Sequence, residues 1–150
     1  MGKMNTVSNQ EIETKLRQAL AGQADDLAVR QAIVQAGLSG NRRFAALLKR
    51  IAEETARESR RKVTDDALRS LEQIGEPPTY FLTNAHNHQG NKWLAYYSIL
   101  ILAHSPADAP TRMALDTIKT QTADNQIRGA IAEAERLRAE AASVLTERTA

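Results

Sequence analysis

Between Asn41 and Lys62 the chain carries eight basic side chains and only three acidic ones, a local net charge of +5. If this stretch is a single helix, seven of those cations share one face. At about 100° per residue, Arg42, Arg43, Lys49, Arg50, Arg57, Arg60 and Arg61 fall near 0°, 100°, 340°, 80°, 60°, 0° and 100°. Phe44, Leu47, Leu48 and Ile51 land on the opposite side, at roughly 140–240°. Such a helix would bury its apolar side and present a cationic rail about 30 Å long. Regularly spaced guanidinium groups displace the counterions of a polyanion and hydrogen-bond its phosphates. The candidate binding set is therefore Asn41, Arg42, Arg43, Lys49, Arg50, Arg57, Arg60 and Arg61. The partner expected for it is the backbone of DNA or RNA, or else an acidic protein surface. The plain alternative is a solvated face, because Glu53 lies within the arc and Glu54 and Glu58 at its edge. On the rail reading, charge reversal at Arg42 and Arg50 should abolish binding and leave the melting temperature nearly unchanged.

Other reactive side chains form weaker patterns. With no cysteine, disulfides, thiolate metal sites and a cysteine nucleophile are excluded. His86 and His88 stand two residues apart in a polar stretch with no nearby acid to complete a metal shell. The pairs Glu53-Glu54 and Asp65-Asp66 diverge by about 100° on a helix, which does not suit acid–base work. Asp25-Asp26 is better explained by helix capping. No glycine-rich phosphate loop or nucleophile elbow occurs. These residues lead to a non-catalytic binding protein with no cofactor and no metal site. Tyr80, Phe81, Trp93, Tyr96 and Tyr97 could offer bases a stacking platform. Core packing is the reading favoured for them, with only Trp93 expected to be partly exposed.

At 150 residues the chain suits one domain with its own core. Scarce aromatics and abundant alanine favour close-packed helices. The overall charge is only +2: residues 1–40 balance at zero, and residues 63–150 carry eight basic and eleven acidic groups. Positive charge is thus localised, as a docking surface requires. Residues 94–103 form the longest apolar run, too short to span a bilayer. The polar first ten residues, read as a flexible N-terminus, lack a secretory apolar core. A cytoplasmic protein without membrane contact is the expectation.

Apolar spacing predicts helices over 11–20, 27–36, 41–62, 64–74, 78–85, 92–103, from 106 to about 118, and 125–147. Ser8 or Asn9, Asp25 or Asp26, Thr64 or Asp65, Ser105 with Pro106, and Asp124 are the expected N-terminal signals. Gly22, residues 37–40, and Gly75 with Pro77 are the expected stops. The helix 92–103, apolar nearly all round, should occupy the centre of the core. The fold class is all-α: a single-domain helical bundle or a short helical repeat of about seven helices. On the last helix Ile127, Ile131, Ala134, Leu137, Ala141, Val144 and Leu145 make a seam near heptad spacing. Its final turns should overhang and pair two copies as a homodimer.

Two stretches resemble known families. The run from Asp65 to Pro77, together with Leu100-Ile101-Leu102-Ala103-His104-Ser105-Pro106, is similar to the helix ends of HEAT-type repeats across about 60–130. That resemblance implies a binding scaffold for protein or nucleic acid with no catalytic residues; with protein as the partner, the chain would be a protein–protein interaction scaffold or adaptor. Over about 11–55, Ala36-Gly37-Leu38-Ser39 resembles the turn of a helix-turn-helix, with glycine left-handed, an apolar plug and a serine cap. It implies that Asn41, Arg42 and Arg43 begin a recognition helix. More faintly, Pro77-Pro78, Leu82-Thr83-Asn84, Gln89-Gly90 and Trp93-Leu94 look like the small helical subunits of RNA-guided type III defence complexes.

Overall fold

A computed structural model describes residues 8–104 and 108–149, with side chains as far as Val144. The protein is all-α, and no strand occurs among the described residues. Contacts group the chain into two compact units, Met1–Glu76 and Pro77–Ala150, where the sequence was read as one domain.

In the first unit, α1 (Asn9–Leu20) starts at Ser8, whose Oγ accepts the Glu11 amide at 3.1 Å. Helix α2 (Asp26–Ser39) starts at Asp25, whose carboxylate accepts the Ala28 amide at 2.9 Å. A 3-10 turn, Arg42–Phe44, leads into α3 (Ala45–Arg57), and α4 (Arg61–Gln73) follows. Each of these helices packs on two others: α1 on α2 and α3, and α4 on α2 and α3. Their shared core holds Leu16, Ile33, Phe44, Leu48, Leu68 and Leu71, all fully buried.

The expected helix 41–62 is not one helix. Between α3 and α4 the chain reverses: the Ser59 amide bonds to Ala56 O at 3.2 Å and the Arg60 amide to Thr55 O at 2.9 Å. This is the bonding of a Schellman stop, with Ser59 in its left-handed position at φ 59°. The same pattern closes α1 at Gly22 and α4 at Gly75, where glycine adopts positive φ without a Cβ penalty. The reversal lets small residues of α3, Ala52, Thr55 and Ala56, meet Val63, Thr64 and Ala67 of α4, all buried. Thr55 and Thr64 share a buried hydroxyl–hydroxyl bond of 2.8 Å. Polar positions that left the second half of a long helix without an apolar face thus become the packing surface of a hairpin. Helix α4 accordingly begins at Arg61, with neither Thr64 nor Asp65 as its cap.

The turn roles assigned to residues 37–39 also fall elsewhere. Gly37 is helical and buried, and Gly40 is the left-handed residue, at φ 65°. A Cβ on Gly37 would lie 2.3 Å from Gln73 Oε1 and 2.7 Å from Ser70 Oγ. Its bare backbone lets α2 and α4 approach, and Ser70 Oγ donates to Ile33 O at 2.8 Å across the contact. Leu38 is no plug, being 73% exposed. Ser39 Oγ accepts the Asn41 amide, and Asn41 caps the 3-10 turn by accepting the Arg43 amide at 3.0 Å.

In the second unit α5 (Pro78–His86) and α8 (Asn125–Thr149) both pack on α6 (Lys92–Leu102), while α7 (Ala109–Gln121) packs on α5 and α8. Helix α6 is central, as its composition requires, with Leu94, Ala95, Ser98, Ile99, Ile101 and Leu102 buried. Asn84 Nδ2 donates to Ser98 Oγ at 3.0 Å inside this core. The cap proposed at Ser105 and Pro106 lies outside the described residues, and α7 opens at Asp108, which accepts the Thr111 amide. Asp124 caps α8 through the Gln126 amide at 2.8 Å. The α8 seam is buried at Ile127, Ile131 and Ala134, half-buried at Leu137, and exposed at Ala141 and Val144. The side chain of Leu145 lies outside the described residues.

Three substitutions test the backbone at Ser59 and at two helical glycines. Ser59→Gly should raise stability by about 0.5–1 kcal/mol, the left-handed Cβ penalty of about 1–2 kcal/mol less the extra chain entropy that glycine loses, read from the urea midpoint. Gly129→Ala, whose new Cβ would meet nothing within 4 Å, should stabilise by up to about 1 kcal/mol. Gly37→Ala should destabilise by about 1–3 kcal/mol, since Gln73 can swing aside but Ser70 is fixed by its bond to Ile33.

Candidate basic interface

The structure disperses the eight candidate residues over three elements and gives most of them acidic partners inside the same unit. Arg42 lies in the 3-10 turn and donates from Nη1 to Glu76 at 3.0 Å. Lys49, on α3, reaches the other oxygen of the same carboxylate, also at 3.0 Å. The Glu76 side chain is only 6% exposed, so these two cations clamp a nearly buried carboxylate. Gly75 positions it, because the stop at the end of α4 turns the chain back toward α3, with the Glu76 amide bonded to Leu71 O at 2.9 Å. Arg43 donates to Glu13 of α1 at 2.8 Å. That hydrogen bond, joined by one from Arg17, holds the Glu13 carboxyl below its usual range.

Arg60 sits in the reversal between α3 and α4. Its Nε donates to Asp26 at 3.0 Å and its Nη1 to Glu58 at 2.9 Å. Burial works against its charge, but the two carboxylates outweigh that and raise its pKa. Arg50 lies 3.9 Å from Glu54, a loose pair on an exposed surface. Arg57 points to solvent at the end of α3, with no ion pair among the described residues. Arg61 is exposed as the first residue of α4. Asn41 is used as a cap. What faces outward from the set is therefore the edge of α3 at Arg50 and Arg57, seven residues apart, followed by Arg61.

The aromatic group divides as well. Phe81 is buried, while Trp93, Tyr96 and Tyr97 are all half-buried, where only Trp93 was expected to show. Trp93 and Tyr96 meet edge to face at 5.5 Å, Tyr96 and Tyr97 at 4.9 Å, and Lys92 Nζ lies 5.1 Å from the Trp93 ring. Among the described residues no group of three or more His, Asp or Glu could hold a metal ion, and no helix is long and apolar enough to cross a membrane.

A different surface escaped the reading of basic residues. On α2, Leu27 is 67%, Val34 47% and Leu38 73% exposed, while Val29, Ile33 and Ala36 of the same helix are buried. The helix is apolar on two sides, and only one is used within its unit. The signal was present as Leu27, Val34 and Leu38 at i, i+7 and i+11, but Leu38 had been assigned to a turn.

Because the Glu76 side chain is nearly covered and its partners are half-exposed, the clamp should respond asymmetrically to mutation. Glu76→Ala frees two cations that water can solvate, and should cost about 1–3 kcal/mol. Arg42→Ala with Lys49→Ala strands a buried carboxylate, and should cost more, about 3–5 kcal/mol. Urea unfolding of both variants measures the difference. Reversal at Arg42 therefore carries a stability cost that the rail reading did not foresee. The Glu13–Arg43 contribution should be full above the usual carboxyl pKa of about 4 and be lost as pH falls through the lowered value, so Glu13→Gln should flatten the acid limb of a melting-temperature profile. No protein-family model matches the chain, and neither a curated protein nor a solved structure is detectably similar to it.

Proposed function

We propose that this chain is a non-catalytic helical binding protein that works through protein–protein contact, as an adaptor or scaffold. The observation that carries this reading is the internal pairing of Arg42, Arg43, Lys49 and Arg60 with Glu76, Glu13, Asp26 and Glu58. A cation that already has a carboxylate at hydrogen-bond distance must break that contact to meet a phosphate, so its counterion-release gain is largely cancelled. The solvent-facing apolar side of α2 adds support, because exposed apolar stripes of this kind mark contact with protein.

Polyanion contact is the second reading, favoured by the outward edge at Arg50 and Arg57. The two are separated by the salt dependence of binding to a labelled generic duplex and single strand, followed by fluorescence anisotropy. Protein contact as the main role predicts affinity no tighter than the non-specific range of about 10⁻⁴–10⁻⁶ M at physiological salt, with a log–log slope no steeper than about −2. A slope of about −3 to −5, with equal losses on reversing Arg42 with Arg43 and Arg57 with Arg61, would restore the full rail and overturn the proposal.

A further inference from the structure

The exposed side of α2 has a spacing as well as a composition. Leu27, Gln31, Val34 and Leu38 follow at intervals of four, three and four residues. At about 100° per residue they fall within roughly 60° of one another, opposite the buried Val29, Ile33 and Ala36. Intervals of four, three and four make a coiled-coil seam of about three turns, d-a-d-a, with a glutamine at one a position. A polar residue at a single a position is the device by which such seams select register and partner number. All four members are exposed, and an open groove of about 710 Å³ runs beside them between α1 and α2.

We propose that α2 is the face through which two copies of this chain pair, parallel, about a two-fold axis along the helix. This rests on the protein-contact reading above and names the partner. Two features make the seam self-complementary. A Gln31 amide offers both donor and acceptor, so two of them facing each other across the axis satisfy one another. The rims of the seam also offer a cation on one side and a carboxylate on the other. On one side Lys15 of α1 is exposed and without an ion pair among the described residues. Since α1 and α2 are joined through 21–25 and pack together, Lys15 and Gln31 each stand six residues from that turn and thus at one height. On the other side Asp66 of α4 is fixed at the level of Arg30 by their 2.6 Å bond. A parallel two-fold axis brings the α1 rim of one copy to the α4 rim of the other, so Lys15 meets at matching height the Asp66 carboxylate, which can hold a second cation while keeping Arg30, as Glu76 holds two. Antiparallel pairing would instead set Gln31 against Val34, leaving each amide facing an apolar side chain.

The full-length chain should show a concentration-dependent dimer by sedimentation equilibrium from micromolar to millimolar. Leu27→Asp with Leu38→Asp should raise the dissociation constant at least about 100-fold, with helical content unchanged by circular dichroism. Val144→Asp, at an exposed apolar position of α8, should leave the dimer intact. Because the chain has no cysteine, orientation can be read from engineered ones. Gln31→Cys alone should cross-link under mild oxidation, since a-position Cα atoms in a parallel pair lie near disulfide range. A chain that is monomeric at every concentration overturns the proposal. So does dissociation by Val144→Asp rather than by the α2 pair, or cross-linking confined to mixtures of Leu27→Cys and Leu38→Cys. The anisotropy titration on the same samples separates the two levels. A monomer with no steep salt slope defeats pairing and leaves protein contact standing, whereas a steep slope defeats protein contact itself.

Discussion

At Ser59 the backbone enters the left-handed region, and the amides of Ser59 and Arg60 turn back to carbonyls of α3. The arrangement of the first unit follows from this. Reversal there gives α3 a partner, so Thr55, Ala56, Val63 and Thr64 face one another instead of water. It also separates Arg60 and Arg61 from the arginines upstream, placing Arg60 beside Asp26. A serine in that conformation costs roughly 1–2 kcal/mol relative to glycine. The hairpin core, with its buried threonine pair and apolar contacts, offsets that cost.

Charge in this unit works mostly inward. Its carboxylates come from α1, from the start of α2 and from the residue after α4, and they meet cations of the 3-10 turn, α3 and the reversal. Exposed pairs of this kind contribute little each, about 0–1 kcal/mol. Their collective effect is on specificity, since each ties two elements distant in sequence. Glu76 differs in degree: its side chain is almost wholly covered, so its pairing with Arg42 and Lys49 is less screened by water than the others.

Much of the secondary structure could be read from residues with a strong local preference. Ser8, Asp25 and Asp124 cap where their short polar side chains suggest, and Gly22 and Gly75 stop helices as glycine does. The central helix α6 was recognisable because it is apolar nearly all round. The reversal at Ser59 was not, because the left-handed residue there is not glycine and the flanking arginines, lysine and glutamates are good helix formers. Tertiary pairing of Thr55 with Thr64 decides it, and no local pattern encodes that. Gly37 misled in the opposite sense: a glycine placed for close helix approach looks, in sequence, like a glycine placed for a turn. The candidate site suffered accordingly, since an arc computed for one continuous helix has no meaning across a reversal.

Helix α2 carries one further consequence, for the life of the chain before it is folded. Residues 27–38 contain a single charged group, Arg30, and present apolar side chains on two opposite sides. Whenever α4 lifts away, both sides of α2 lie bare at once, with only Asp25, Asp26 and Arg30 near enough to deter association with another exposed segment. This stretch is consequently the one on which newly made or heat-stressed chains of the first unit depend for solubility, and the one that a holding chaperone would grip first.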